Sequence, residues 1–246
     1  MEVKPTHVTA GSTDNALVFT YTADTGAFVG LMRIDVAANW TLPQNRDPAG
    51  PGYVSLQNVS CAASTRITTV RGRRLTILTS CARNRQFTLT YAHATAPPFA
   101  ADGFTFVTQT KPVARKGQRR KPLRFRPLAQ KKQPTVIVDG GPIDQLTASA
   151  TSVATAGTAF SLTVRTIDRF GNTATGYTGT VSFTSSDPQA TLPAPYTFVA
   201  ADAGAHSFSG VVLRTPGVQR INVVDNAGRT AATGAINVYP SAGAPT

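Results

Sequence analysis

A chain of 246 residues is long enough for two domains of about 100 to 140 residues, each burying its own core. With 41% hydrophobic and 15% charged residues the composition argues against a disordered chain, and a net charge of +12 puts anionic partners first among candidates. Glu2 is the only glutamate and Thr, Val, Ala, Gly and Pro fill the chain, so a helical protein is excluded and an all-β fold class is expected.

In chain order, residues 15–23 alternate Leu17, Phe19 and Tyr21 against Val18, Thr20 and Thr22. A second extended run, 27–36, follows the turn Asp24-Thr25-Gly26, and the two are expected to form an opening hairpin. The piece that continues through Trp40, Thr41, Leu42 and Pro43 resembles a recurrent surface module that reads strand, G-x-hydrophobic strand, then W-x-x-P. Trp40 is the only tryptophan. It is read as a core anchor, with a stacking platform for sugar as the alternative. Further strands are expected over 53–57, 66–70, 75–79, 87–91 and 104–109, with a closing strand over 134–138; turn signals about every ten residues argue for a β-sandwich.

Cys61 and Cys81 lie twenty residues apart, each near the end of a strand-like run, and are read as one disulfide. In the chain-entropy model such a bridge stabilises by about 3 kcal/mol, and an oxidised pair favours an extracellular compartment.

The charge divides at Asp139. Residues 1–139 hold 19 Lys and Arg against 7 Asp and Glu, whereas residues 140–246 hold 5 against 5. Within the first half, the segment 111–132 supplies ten basic residues and no acid: Lys111, Arg115, Lys116, Arg119, Arg120, Lys121, Arg124, Arg126, Lys131 and Lys132. One reading is a solvated loop. The other is electrostatic attachment to an anionic polymer, centred on Arg115, Lys116, Arg119, Arg120, Lys121, Arg124 and Arg126: teichoic acid or acidic polysaccharide outside a cell, nucleic acid or phospholipid inside. The alternation over 122–128 suits an edge strand with outward arginines, and Phe125 as the single aromatic of the tract argues against base stacking and a specific nucleic-acid partner.

Asp139-Gly140-Gly141-Pro142 reads as a hinge, which divides the chain into domains 1–139 and 140–246. The second has strands expected over 145–151, 159–168, 180–184, 196–199, 205–213, 218–224 and 231–239, and seven short strands suit an Ig-like sandwich. Its central stretch, TIDRFGNTATGYTGTVSFTSSD followed by ATLPAPYTFVAADAGAHSF, resembles the filamin-like and bacterial Ig-like repeats of surface and secreted proteins. The resemblance covers about 145–239 and is carried by Asp168, Gly171, Asn172, Tyr177, Gly179 to Phe183, Tyr196 to Phe198, Ala201, Asp202, Gly204 and Phe208. It implies spacing, polymerising or adhering rather than catalysis.

The chemistry of the residues agrees. His7, His93 and His206 are the only imidazoles and none lies in a nucleophile signature. No Cys and His spacing resembles zinc, and Asp168, Asp187, Asp202 and Asp225 are considered only as a remote calcium cluster, so no metal or cofactor is expected. No apolar run reaches the roughly 18 residues of a membrane span, and residues 1–5 lack the apolar core of a leader. A secreted or cell-surface chain whose leader was removed is favoured, because the resemblance points outside the cell. The expected function is a non-enzymatic structural or adhesive module of a bacterial surface or secreted protein, whose partners are cell-wall or other anionic polymers or neighbouring copies. The alternatives are a carbohydrate- or cell-wall-binding module, in which Trp40 and Tyr53 join basic residues on a ligand face, and a phage decoration protein.

Overall fold

The computed structural model describes residues 1–57, 59–113 and 124–241. Apart from two short 3-10 turns, every regular element among them is a strand. The chain forms two compact units, Met1–Asp139 and Gly140–Thr246.

In the first unit the strands are β1 (Glu2–Lys4), β2 (His7–Thr9), β3 (Asn15–Thr22), β4 (Phe28–Asp35), β5 (Tyr53–Gln57) and β6 (Arg66–Arg71). They continue with β7 (Arg74–Cys81), β8 (Gln86–Ala94), β9 (Ala101–Thr105), β10 (Val107–Pro112), β11 (Arg126–Pro127) and β12 (Thr135–Asp139). Two sheets, in the orders β1-β3-β8-β5 and β11-β10-β4-β7-β6, are accompanied by a smaller third, β2-β12-β9. Leu17, Phe19, Phe87, Leu89 and Tyr91 of the first sheet share one buried cluster with Met32, Ile34, Leu75 and Ile77 of the second. That is a sandwich, and its alternation is the sequence's own.

The opening hairpin is corrected. β3 pairs with β1 and β8, whereas β4 pairs with β10 and β7, so the turn between them crosses from one sheet to the other. Both strands carry an apolar face, and placing the two faces opposite each other buries more than pairing them edge to edge. Phe106 marks the junction, with ring centroids 5.0 Å from Phe19 and 5.5 Å from Trp40.

Cys61 and Cys81 are joined, tying the loop before β6 to the last residue of β7. Ala62 N donates to Ser80 O at 2.8 Å beside the bridge.

The second unit contains β13 (Ile143–Ser149), β14 (Val153–Thr155), β15 (Ala159–Asp168), β16 (Thr180–Ser185), β17 (Tyr196–Thr197), β18 (Ala205–Val212), β19 (Gly217–Gln219), β20 (Ile221–Asp225), β21 (Thr230–Ala232) and β22 (Ile236–Tyr239). Its sheets run β13-β15-β18, β14-β22-β19 and β17-β16-β20-β21 around Leu162, Val164, Val181, Phe198, Val211, Ile221 and Val223. The expected strands 218–224 and 231–239 are each two. Chain direction changes sheet at Arg220, because β19 pairs with β22 while β20 pairs with β16. Both units also place a three-residue early strand parallel to their last strand, β2 with β12 and β14 with β22.

Buried carboxylates staple the loops of the second unit. Asp168, Asp187 and Asp225 are buried carboxylates, and each collects donors from its own loop and from another segment of the chain. Asp168 accepts from Phe170 N, Asn172 N, Asn172 Nδ2 and Gly141 N at 2.8 to 2.9 Å. Asp225 accepts from Ala227 N, Arg229 N and the Tyr177 hydroxyl. Gly204, at φ 78°, has room for no Cβ, which would lie 2.6 Å from Ala174 O and 2.8 Å from Thr166 Oγ1.

Asp187, only 2% exposed, accepts from Gln189 N (2.9 Å), Thr215 Oγ1 (2.6 Å), Arg214 N (2.6 Å) and Thr215 N (3.0 Å). Burial pushes its pKa up, but these hydrogen bonds outweigh burial and hold it down to about 2. The folded value lies below the ordinary carboxylate value of about 3.9, so the unfolded chain binds more protons between the two. Stability from this carboxylate is therefore complete above about pH 4 and lost as pH falls toward about 2, an effect on the order of 2 kcal/mol. Chemical denaturation between about pH 5 and about pH 2 should show the second unit weakening, and less steeply in Asp187→Asn. An equal slope in the variant would contradict this account.

Candidate functional site

The outward face of the β11-β10-β4-β7-β6 sheet gathers four of the basic residues of the first unit that lie outside the tract, Arg33, Arg71, Arg73 and Arg74. Along β4, Met32 and Ile34 point into the core, which leaves Arg33 and Asp35 on the opposite face. On β7, Leu75 and Ile77 point inward and Arg74 and Thr76 outward. The register then builds two rows: Arg71, Arg74 and Asp35 in one, Thr69, Thr76, Arg33 and Gln109 in the next. Residues 70–75 close the β6–β7 connection, with Gly72 at φ 54° in the turn.

Arg33, Asp35, Thr69, Arg71, Arg74 and Thr76 of these rows line a cavity of about 760 Å³. Four arginines, Arg33, Arg71, Arg73 and Arg74, border it with a single carboxylate, Asp35. Asp35 is already engaged: it accepts from Arg74 Nε at 2.6 Å and from the Arg74 terminal NH2 at 2.9 Å. That hydrogen-bonded contact raises the pKa of Arg74 above its ordinary value, so the guanidinium is charged throughout the accessible range. The pair is half open to water and contributes little to stability.

The other arginines are placed differently. Arg73 donates to Ala37 O at 2.6 Å and fixes the chain leading to Trp40. The Arg33 guanidinium carbon lies over the Phe125 ring, 3.7 Å from its centroid, and Lys111 Nζ stands 5.8 Å from the same ring. Arg33 Nε is buried and has no hydrogen-bond partner among the described residues. Arg71 is exposed at the lip and makes no ion pair among the described residues.

Of the residues singled out in the tract, Arg115, Lys116, Arg119, Arg120 and Lys121 lie outside the described residues. Arg124 is exposed just before β11, and the expected edge strand over 122–128 is described only as Arg126–Pro127. Arg126 is opposite Thr110, which in turn is opposite Met32, so it falls in the row facing away from Arg33. Lys111 is opposite Leu31 and shares the Arg33 face. Lys132 is paired with Asp24 at 2.6 Å. Lys111 on β10 and Arg126 on β11 therefore belong to the same sheet whose face carries the arginines, whereas Lys131 and Lys132 lie in the 3-10 turn Gln130–Lys132.

Trp40 as a sugar-stacking platform is corrected. It is 3% exposed, packed edge-on by Phe104 and Phe106, and offers no face to solvent. The carboxylates considered for calcium are each held in separate loops, and no group of three metal-binding side chains occurs among the described residues. Asp202 accepts from Val199 N at 2.8 Å and from the Tyr196 hydroxyl, and is bonded to His206 Nδ1 at 2.7 Å, another local staple. No described helix is long and apolar enough to cross a membrane. The sequence signal for the arginine face was present in Arg71-Gly72-Arg73-Arg74 and in the alternate positions Arg33 and Asp35, but its convergence depends on the register of three strands.

No family model and no curated protein matches the chain. Solved structures with some similarity include the Yersinia pseudotuberculosis adhesin InvE, 13% identical with a TM-score of 0.32, over 96% of this chain and 57% of that one. The Escherichia coli adhesin FdeC is 16% identical with a TM-score of 0.32, over 97% of this chain and 63% of that one. Red sea bream transglutaminase is 11% identical with a TM-score of 0.28, over 95% of this chain and 30% of that one. The chain thus spans less than two thirds of each, and similarity at this level assigns neither family nor activity.

Because Trp40 is the sole tryptophan and is buried, its fluorescence reports the core. Soluble oligosaccharides should leave its emission unchanged, while Trp40→Ala should cost about 3 to 5 kcal/mol in unfolding measurements. A sugar-dependent emission shift, or a Trp40→Ala chain as stable as the wild type, would reverse the core assignment.

Proposed function

We propose that the chain is a non-enzymatic structural or adhesive module of a bacterial cell-surface or secreted protein. Its first unit attaches to an anionic polymer and its second unit acts as a spacer. The observation that carries this reading is the arginine face: Arg33, Arg71, Arg73 and Arg74 on one wall with a single, already paired carboxylate. Lys111, on β10, shares the face of Arg33 and adds to its charge, and the rest of the tract gives the same unit nine further basic residues. Polyanion binding follows the number of anionic groups neutralised, and its range is set by screening, about 10 Å at about 0.1 M salt.

The spacer role rests on the second unit's lack of net charge and on its loops. Five basic residues balance five acidic ones there, and the buried carboxylates brace the connections instead of facing a ligand. The disulfide of the first unit suits an oxidising location.

Retention of the whole chain on purified bacterial cell walls, or on a defined polyanion, should fall steeply as salt rises from about 50 mM to about 200 mM. Replacing Arg115, Lys116, Arg119, Arg120 and Lys121 with serine should weaken it with little change in melting temperature. Salt-insensitive retention, no retention on any polyanion, or an enzymatic activity abolished by a point mutation would overturn the reading.

A further inference from the structure

The arginine groove has the features of a defined seat in addition to those of a diffuse positive surface. We infer that it holds a tetrahedral oxyanion, a sulfate or phosphate ester carried on a polysaccharide or polyol chain. This rests on the attachment reading above and adds the chemistry of the group recognised.

Three observations lead to a tetrahedral group. Asp35 shows how this wall meets a planar carboxylate: it takes one guanidinium, Arg74, in a two-pronged contact. The remaining donors do not form such a fork. Arg33 comes from β4 and Arg71 from the end of β6, while Arg73, held through Nη1 by Ala37 O, borders the cavity from the turn, so the three reach it from different elements. Thr69 and Thr76 add hydroxyls between them. Donors converging from several sides match an ester with non-coplanar acceptor oxygens better than a flat carboxylate.

Arg33 is also preorganised. Its cation–π contact with Phe125 holds the guanidinium in place, which lowers the ordering cost of a bound anion. A buried N–H with no partner, as at Arg33 Nε, is costly in a folded chain, and an acceptor brought to this wall relieves that cost.

The size fits a polymer unit rather than a lone ion. A cavity of about 760 Å³ is in the range of sites for small organic ligands, far larger than one oxyanion needs. Its lining has no aromatic ring to stack a base, and Phe125 is already covered by Arg33. A sugar or polyol ester therefore suits the site better than a nucleic acid does.

The test uses the full chain and four probes at one moderate salt concentration: heparin for sulfate esters, poly(glycerol phosphate) for phosphodiesters, polygalacturonate for carboxylates and oligothymidylate for single-stranded DNA. Wild type should prefer heparin, poly(glycerol phosphate) or both over polygalacturonate at matched charge, and which of the two it prefers identifies the source of the ester. Arg33→Gln with Arg71→Gln should weaken ester binding at least about tenfold, the scale of one or two charge-assisted hydrogen bonds. Arg33→Lys with Arg71→Lys keeps the charge and should lose the preference while retaining general polyanion binding. The serine replacements in the tract should lower all affinities and keep the preference. Thermal unfolding of each variant verifies the fold.

If the glutamine variant binds every polymer like wild type while the tract variant loses them all, the groove is not the seat and only the attachment reading survives. Equal binding of polygalacturonate and the esters would overturn the tetrahedral assignment. Oligothymidylate bound as tightly as the esters, with the same dependence on Arg33 and Arg71, would replace it with a nucleic acid. Failure of all four probes would remove both readings.

Discussion

The alternation of two neighbouring strands sets the character of the first unit. Met32 and Ile34 on β4, with Leu75 and Ile77 on β7, are fully or almost fully buried, and a strand that commits every second residue to the core commits the others to the opposite face. Arg33, Asp35, Arg74 and Thr76 are displayed together for that reason. A one-residue slip of either strand would bury a guanidinium, so the same apolar packing that holds the sandwich together also keeps the positive face in register. Fold and candidate site share one constraint.

The second unit solves a different problem. Its short strands leave long connections, and buried polar backbone needs partners. Asp168, Asp187 and Asp225 supply them, each holding a loop through several backbone amides. Tyr177, Gly179 and Gly204, which belong to the recognisable pattern of the sequence, serve the same bracing: the Tyr177 hydroxyl donates to Asp225, and a Cβ on Gly179 would run into the Tyr177 ring. A recognisable pattern of this type records how a loop is built, and an adhesive role has to be argued from other surfaces.

Much of this is legible in the sequence. Period-two alternation located most strands, and the twenty-residue spacing of Cys61 and Cys81 gave the bridge. What local pattern cannot encode is which strand pairs with which. The turn at 24–26 looks like a hairpin, yet it joins two sheets because β3 and β4 bury facing sides of one core. The run 218–224 looks continuous, yet it changes sheet at Arg220. The arginine face was hidden for the same reason. Linear charge density draws attention to 111–132, whereas Arg33 and Arg71 are far apart in sequence and meet only through β7. Trp40, read as a core anchor, is one, packed against Phe104 and Phe106, and the alternative of a sugar platform falls away.

The most direct measurement is an NMR titration of the arginine Nε–H resonances in the full chain with a soluble polyanion. The resonances of Arg33, Arg71 and Arg73 should shift together and saturate at one polymer concentration, while Arg165, Arg169, Arg214, Arg220 and Arg229 of the second unit stay in place. Shifts confined to the second unit, or uniform small shifts across every arginine without saturation, would contradict a binding face on the β4–β7–β6 wall.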